Sequence, residues 1–377
     1  MESLVVNPSV NVSPYCYSLL RIEPYTSCMH QCIYCFGRWY RMADPATLAP
    51  TPNMIQSLVR IFKAIHKRGL TPMPFRLSTL IDPFQPIELE KGASKHVIKL
   101  CIKYNIPLII NTKAPNIAIN ILPLLEKLCN RGLLIFQVSV SVISGELAKK
   151  LEPKAPPPQE RLDAAEKMSK EGIPVILRLQ PLIPGLMEHD LELTIQQAKY
   201  IGAKQIITEA LRDEIENFNI YSTLAKDSQK YKGIGFWEDY SATVKTPSKV
   251  LRPKLEWRIS TYKQLRDLCS KYGLAFSMCK EGLYELQTAK NCCGINLLNP
   301  ASYTLRPTLY EAWIIYKQTK TIPSYKQLVE TLPPNYIHSQ NLKPYPRTIR
   351  KKLQAHEKIL KQILEERTQE LIKLLPR

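Results

Sequence analysis

Glu23-Pro-Tyr-Thr-Ser-Cys28-Met-His-Gln-Cys32-Ile-Tyr-Cys35-Phe36 follows directly on an apolar run, Tyr17 to Ile22, and spaces three cysteines by three and then two residues. A loop leaving the end of a strand can wrap a cluster. Three thiolates can each hold one iron of a four-iron, four-sulfur (4Fe–4S) cluster and leave the fourth iron open, whereas clusters that only carry electrons normally take four cysteines. The open position implies chemistry at the metal. Zinc is the competing reading, with His30 as a further donor, but zinc sites favour paired Cys-x₂-Cys knuckles or nearby histidines. The chain has ten cysteines in 377 residues, and its start lacks the basic and long apolar regions of a secretion signal. The thiols are therefore expected to act as metal ligands or reactive groups before they form disulfides.

Outward from this loop, short aliphatic and β-branched runs alternate with longer amphipathic stretches, the pattern of β/α units around a parallel sheet. Strands are expected near Tyr17 to Ile22, Pro74 to Thr79, Pro107 to Thr112, Leu134 to Val140, Pro174 to Leu179 and Lys204 to Thr208. Each is nearly continuous in apolar character, as strands buried on both faces are. Helices are expected near Asn53 to Lys67, Glu88 to Tyr104, Ile117 to Asn130, Glu160 to Lys170 and Leu191 to Tyr200, with Gly69, Gly132, Gly172 and Gly202 as stop signals. Six such units in succession make an α/β fold, a partial (β/α)6 barrel of the TIM type, whose chemistry sits at the C-terminal ends of the strands.

The expected organisation is an N-terminal arm over residues 1–16, the partial barrel over 17–280, and a third part over 281–377. Within the barrel, 211–256 reads as an irregular insertion with interleaved aromatic and basic residues, among them Phe218, Tyr231, Lys232, Trp237, Tyr240 and Lys245. Such an insertion is usually a lid or substrate loop, and a surface excursion with no substrate role fits as well as a nucleic-acid groove. A helix from Arg258 to Tyr272 then leads to Leu274–Met278, an extra strand. Beyond Pro307 the texture turns helical and basic, with Tyr325 to Thr331 and then Arg347, Arg350, Lys351 and Lys352 opening a long amphipathic stretch. The pattern fits a helix-turn-helix-like unit, or a basic bundle packed on the barrel.

The formal charge is +19, which favours an acidic partner such as nucleic acid. Thirteen glycines form neither a dinucleotide fingerprint nor a phosphate-cradling loop, and the six histidines do not make a zinc-protease helix. No serine sits between glycines as a nucleophile elbow requires. No apolar run is long enough to span a bilayer, so a cytoplasmic protein with no membrane association is expected.

The three-cysteine loop, with aromatic Tyr34 before its last cysteine, resembles that of the radical S-adenosylmethionine (SAM) superfamily. Further segments resemble its spore photoproduct lyase or DNA repair photolyase group: Ser78-Thr-Leu-Ile-Asp82-Pro-Phe-Gln-Pro-Ile-Glu88, Asn111-Thr-Lys113-Ala-Pro115, Gln137-Val-Ser139-Val-Ser141 and Leu151-Glu-Pro-Lys-Ala-Pro156. The similarity covers roughly Tyr17 to Gly202. It implies a 4Fe–4S cluster on Cys28, Cys32 and Cys35, and reductive cleavage of S-adenosylmethionine to a 5′-deoxyadenosyl radical that takes hydrogen from a substrate. It also implies nucleic acid as that substrate, DNA before RNA, and an electron donor such as ferredoxin or flavodoxin. Competing readings are radical modification of a peptide or small molecule, and a regulator that binds nucleic acid and carries the cluster without catalysis.

The same resemblance suggests roles for individual residues. Ser78 and Thr79 stand where the family holds the methionine amino group, and Lys113 suits the carboxylate. Ser139, Ser141 and Arg178 would meet ribose or carboxylate oxygens, with Tyr34 beside them. Ile183 lies in a segment, Pro181 to Glu188, that is similar to the family's adenine support but has Pro181 where the family has glycine. The hydrogen-donating cysteine of spore photoproduct lyase has no counterpart in Phe75 to Asp82, so the resemblance does not extend to the lyase reaction itself. Cys279, Cys292 and Cys293 lie beyond it and read as ligands of a second iron–sulfur cluster, as a hydrogen-donating thiol (Cys279), or as buried structural thiols. Cys16, Cys101, Cys129 and Cys269 read as structural.

Overall fold

The computed structural model describes residues 14–18, 20–37, 44–225, 234–240 and 249–366. Most of the expected N-terminal arm, and Tyr231, Lys232 and Lys245 of the insertion, lie outside the described residues. The apolar runs become parallel strands: β1 (Leu20–Ile22), β2 (Phe75–Leu77), β3 (Leu108–Thr112), β4 (Leu134–Ser139), β5 (Val175–Leu182) and β6 (Gln205–Ala210). The insertion is not irregular throughout. Its β7 (Asp213–Glu214), β8 (Trp237–Asp239) and β9 (Val250–Pro253) make a small antiparallel sheet in the order β7-β9-β8. The extra strand forms as β10 (Ala275–Met278) and pairs in parallel with β6. The main sheet thus has seven strands rather than six, in the order β1-β2-β3-β4-β5-β6-β10. Because β1 and β10 remain edges, the barrel is open.

The connecting helices are α1 (Met54–Lys67), α2 (Glu88–Lys91), α3 (Ala93–Tyr104), α4 (Pro115–Ala118), α5 (Leu122–Cys129), α6 (Gly145–Leu151), α7 (Pro158–Lys170) and α8 (Leu191–Tyr200). Two expected helices are broken. Gly92 takes φ +59° between α2 and α3, a conformation that glycine adopts at little cost. Pro123 lacks a backbone N–H and marks a fresh helix start, separating α5 from α4. The unforeseen α6 starts at Ser144, whose side chain accepts from the Leu147 N–H. In the insertion α9 (Phe218–Leu224) is helical, and α10 (Leu255–Lys271) begins three residues before the expected Arg258.

The pleat sorts the strand residues onto two faces. Ile109, Ile135, Ile176 and Ile207 point to the barrel interior and pack with Tyr17, Cys293, Ile295, Leu298 and Tyr303. Their neighbours Leu108, Ile110, Phe136, Leu177 and Ile206 join the larger core under the helices. Two and four residues further along β3 to β6, the inner positions turn polar: Asn111, Gln137, Ser139, Arg178, Gln180 and Glu209. The interior is therefore greasy at the N-terminal ends of the strands and polar at the C-terminal ends.

Residues 291–305 plug the greasy end. The Asn299 N–H donates to the Gly132 carbonyl at 2.8 Å, and a Cβ added at Gly132 would lie 2.7 Å from Asn299 Cβ and 3.1 Å from its backbone nitrogen. Gly132 also has φ +65°. Gly132→Ala is therefore expected to lower stability by about 2–3 kcal/mol, the sum of left-handed strain and overpacking. Chemical denaturation would show it, and an unchanged midpoint would mean that the plug yields freely.

The C-terminal part comprises α11 (Leu309–Thr319), α12 (Tyr325–Glu330) and α13 (Arg347–Glu365). Thr308 with Glu311 and Ser324 with Gln327 form capping boxes that start the first two. Helix α13 buries Ile349, Leu353, His356, Leu360 and Leu364, a single stripe at helical spacing. Ile349 and Leu353 join the barrel's core, while Leu360 and Leu364 meet Leu309, Tyr325 and Leu328. The segment between α12 and α13 runs over 331–346, far longer than the three- to four-residue turn of a helix-turn-helix. Among the described residues, no helix is long and apolar enough to cross a membrane.

Candidate active site

The loop after β1 is held from several sides. Gln85, fully buried, accepts from the Met29 N–H at 2.8 Å and donates to the Ser27 carbonyl at 2.8 Å. The Ile33 N–H reaches the Leu151 carbonyl of α6 at 3.0 Å, and the Cys35 N–H closes a turn onto Cys32 at 3.1 Å. Cys28, Cys32 and Cys35 are half-buried thiols lining one cavity of about 190 Å³ at the C-terminal ends of the strands. Burial pushes the Cys28 thiol up to about 12 and raises Cys32 as well. Positive charge from bound iron would favour the thiolates.

Three buried carboxylates organise the surroundings, and the site residues expected from sequence include none of them. Glu23 accepts from the Thr79 N–H at 2.9 Å, the Thr79 hydroxyl at 3.0 Å, the Leu80 N–H at 3.2 Å and the Ser78 hydroxyl. Ser78 is thereby turned into the protein and stays out of the cavity lining, while Thr79 lines it. Asp82 accepts from the Thr112 hydroxyl at 2.7 Å and the Lys113 N–H at 2.6 Å, and faces His30 Nε2 at 3.3 Å. Burial alone would raise its carboxyl, but His30 and these hydrogen bonds hold it below the usual range. His30 Nδ1 donates to the Lys154 carbonyl at 3.2 Å, so His30 serves as a strut of the loop.

Glu152, at the end of α6, is the third. Its Oε1 accepts from Lys113 Nζ at 2.7 Å and from the Tyr34 hydroxyl, and its Oε2 pairs with Arg161. Burial pushes its carboxyl up, but Lys113 and Arg161 outweigh that and bring it down to about 2. Ser141 Oγ lies 3.0 Å from the Tyr34 hydroxyl and donates to the Gln180 carbonyl at 2.9 Å. Tyr34 and Lys113 line the cavity, whereas Ser141 stands behind them.

Across the cavity, Ser139 donates to Asn111 Oδ1 at 3.1 Å. Arg178 donates to Gln137 Oε1 at 2.8 Å and to Gln180, which in turn reaches Glu209. Glu209 pairs with Arg212 at 2.6 Å, whose guanidinium lies 5.8 Å from the centre of the Phe36 ring and 4.8 Å from that of Tyr240. Ile183 is fully buried and outside the lining, and Pro181 lines the cavity in its place. Glu188 closes the segment by accepting from the Gly185 N–H at 2.9 Å and Trp257 Nε1 at 3.2 Å.

Cys279 and Cys293 line the same cavity, joined by Cys16 from before β1, and Cys292 sits beside Cys293 with sulfurs 3.7 Å apart. Cys101 and Cys269 are buried among apolar side chains, as expected of structural thiols. Cys129 donates to the Gly172 carbonyl at 3.3 Å.

Among the described residues, no three His, Cys, Asp or Glu side chains converge as they would about a single ion. Three thiols spread around one cavity fit a polynuclear cluster in which each takes a different iron. Residues 22–198 match the family model of the radical SAM superfamily. The chain is 25% identical over 182 residues to an uncharacterized protein of Methanocaldococcus jannaschii, covering 47% of this chain and 65% of that one. It is 25% identical over 159 residues to an uncharacterized protein of Acidianus two-tailed virus, covering 41% and 51%. It thus spans between about half and two thirds of these relatives. Among solved structures, a spore photoproduct lyase superposes with a TM-score of 0.54 over 69% of this chain and 76% of that one, at 16% identity. A variant of that lyase has been solved with a dinucleoside spore photoproduct. The open parallel sheet is common to the two folds, and residues 22–198 are similar to the radical S-adenosylmethionine superfamily.

Proposed function

We propose that the protein cleaves S-adenosylmethionine reductively at a 4Fe–4S cluster on Cys28, Cys32 and Cys35, and directs the resulting radical at a nucleic acid, DNA before RNA. The observation that carries this reading is that the three thiols and the polar strand ends share one cavity. When bound, the cluster supplies the electron that splits the sulfonium, after a donor such as ferredoxin or flavodoxin has reduced it. The chain's own residues position the cofactor. Thr79, fixed by Glu23, would face the methionine amino group, with Ser78 holding the turn behind it. Lys113 would meet the carboxylate, with Glu152 keeping its charge in place. Ser139 and Arg178 would meet ribose or carboxylate oxygens, Ser141 and Tyr34 support Lys113, and Pro181 with Ile183 behind it would back the adenine. The apolar plug behind the cavity would keep water from reaching a reactive intermediate through the barrel floor. A reducing cytoplasm suits such chemistry.

The nucleic-acid target is supported by charge and by the lyase of similar fold, a variant of which has been solved with a dinucleoside spore photoproduct. Arg347, Lys351, Lys358 and Lys361 are exposed on α13, a basic face beside the barrel. The Arg212, Phe36 and Tyr240 stack at the cavity offers aromatic and guanidinium planes of the kind on which bases stack.

Two assays test the reading. The anaerobically reconstituted protein should form 5′-deoxyadenosine from S-adenosylmethionine and dithionite. Its affinity for duplex DNA should fall with salt by about 0.9 log units per log unit for each phosphate contact. Arg347→Ala and Lys351→Ala should each lower that slope by about one contact and leave cofactor cleavage unchanged. Cleavage without salt-sensitive binding would point to a peptide or small-molecule substrate, and binding without cleavage to a regulator.

A further inference from the structure

We propose that Cys16 and Cys293 form a redox-active dithiol on the floor of the cavity, which closes reversibly to a disulfide by exchange with a small disulfide. The site does not rest on the reaction proposed above. Cys16 precedes β1 and Cys293 belongs to the plug, so the two meet only in the folded chain. Both line the cavity, and Cys16 is in hydrogen-bond contact with Cys293. Cys292 stands on the other side of Cys293, with sulfurs 3.7 Å apart, but lines a separate and smaller pocket with Tyr15, Lys280 and Tyr284. Sulfurs in mutual contact are placed to share an S–S bond, whereas the ligands of a four-iron cluster stand apart on separate irons.

Backbone geometry favours Cys16 over Cys292 as the partner of Cys293. Disulfides join Cα atoms about 4.4–6.8 Å apart, and a trans peptide holds chain neighbours at about 3.8 Å. A bond between Cys292 and Cys293 would therefore be strained. Cys16 comes from another segment and carries no such restriction. Both backbones are anchored. Arg306 Nε donates to the Cys16 carbonyl at 2.8 Å, and the Leu309 N–H to the Pro14 carbonyl at 3.0 Å. Gln137 Nε2 donates to the Cys293 carbonyl at 3.0 Å. Gly294 follows with φ +73°, and a Cβ there would come within 2.2 Å of Ile176 Cδ1, so the plug lies hard against the sheet. Two thiols presented from fixed backbones react as one unit rather than by chance encounter.

The exchange balances with the small disulfide alone. Cys16, the more exposed of the two, gives up its proton and attacks one sulfur of the reagent, whose S–S bond breaks as a mixed disulfide forms and one small thiolate leaves. Cys293 then attacks the Cys16 sulfur, the bond between the two cysteines forms, and the second small thiolate leaves. Both cysteine protons end on the released thiols, so the pair is oxidised by two electrons and the reagent reduced by two. Arg76 is buried and donates to Cys293 Sγ at 3.0 Å, which favours the thiolate that the second step needs. The contact with Cys293 and burial raise the Cys16 thiol, and thiols of high pKa are slow leaving groups. The link should therefore be slow to open once formed.

The test exposes the full chain to 2-hydroxyethyl disulfide, blocks the remaining thiols with iodoacetamide and maps the unreduced digest by mass spectrometry. A peptide pair joining Cys16 to Cys293, and released by dithiothreitol, is expected. Cys292→Ser should keep the link, and Cys16→Ser and Cys293→Ser should lose it. Because the bond closes a loop that takes in the whole barrel, it should raise the thermal midpoint by about 5–10 °C in the parent and in Cys292→Ser, and leave that of Cys16→Ser unmoved. The parent and Cys292→Ser both retain the two partner thiols, so the result does not depend on whether the other variants fold. A bond between Cys292 and Cys293 overturns the assignment. So do mixed disulfides that never close, and a Cys16 or Cys293 that iodoacetamide still labels in full after prolonged exposure. None of these readouts uses S-adenosylmethionine, so the dithiol and the proposed reaction stand or fall separately.

Discussion

Glu152→Gln is expected to destabilise the protein by about 3–5 kcal/mol at neutral pH, the cost of removing one partner from a buried ion pair and leaving the others charged. Glu152 is 2% exposed and Arg161 is 1% exposed. The carboxylate also receives Lys113 and Tyr34, so its loss frees two cavity-lining residues at once. The effect should depend on pH in one direction. The folded carboxyl titrates at about 2 against an ordinary 4.5, so its stabilisation is fully present above pH 4.5 and fades as pH falls toward 2. Denaturation midpoints of parent and variant should therefore lie far apart at pH 7 and converge in acid. Equal midpoints at pH 7 would show that Glu152 does not hold the network together. A gap that widened in acid would reverse the sign and place the shift elsewhere.

The second large effect is on chemistry. Cys28→Ala/Cys32→Ala/Cys35→Ala should lose about four irons per chain and reduce 5′-deoxyadenosine formation to background, with the fold retained. Retention is expected because the loop is anchored by Gln85, by the Ile33 to Leu151 hydrogen bond and by His30, none of which uses a thiol. The three sulfurs are only half-buried, so truncating them removes little apolar contact. Iron analysis and the nucleoside assay read the result separately from circular dichroism, which should be unchanged. A variant that still cleaves the cofactor would remove the basis of the proposed reaction.

Much of the site lies in local sequence. The spacing of Cys28, Cys32 and Cys35 is a property of one loop, and the structure places all three on one cavity. Lys113, Ser139 and Arg178 were reachable because strands alternate and their ends face the open side of the barrel. Ser78 stands behind the lining because the one-residue step from Thr79 turns a side chain to the opposite face, whereas Ser141 and Ile183 do so because they lie past the ends of β4 and β5, where the alternation no longer applies. Glu23, Asp82 and Glu152 sit inside motifs that were already visible. Their importance comes chiefly from distant partners, such as Tyr34 with Glu152 and Glu23 with Thr79, and no local pattern reports those.

The sequence by itself determined the parallel β/α order, the three-cysteine loop and the basic character of the C-terminal part, because hydrophobic period, residue spacing and charge are carried by neighbours in the chain. Only the tertiary structure decided how many strands the open barrel has, which carboxylates steady the loop, and that Cys16 meets Cys293. Those outcomes depend on which surfaces are buried together, and burial brings into contact groups that the chain keeps hundreds of residues apart.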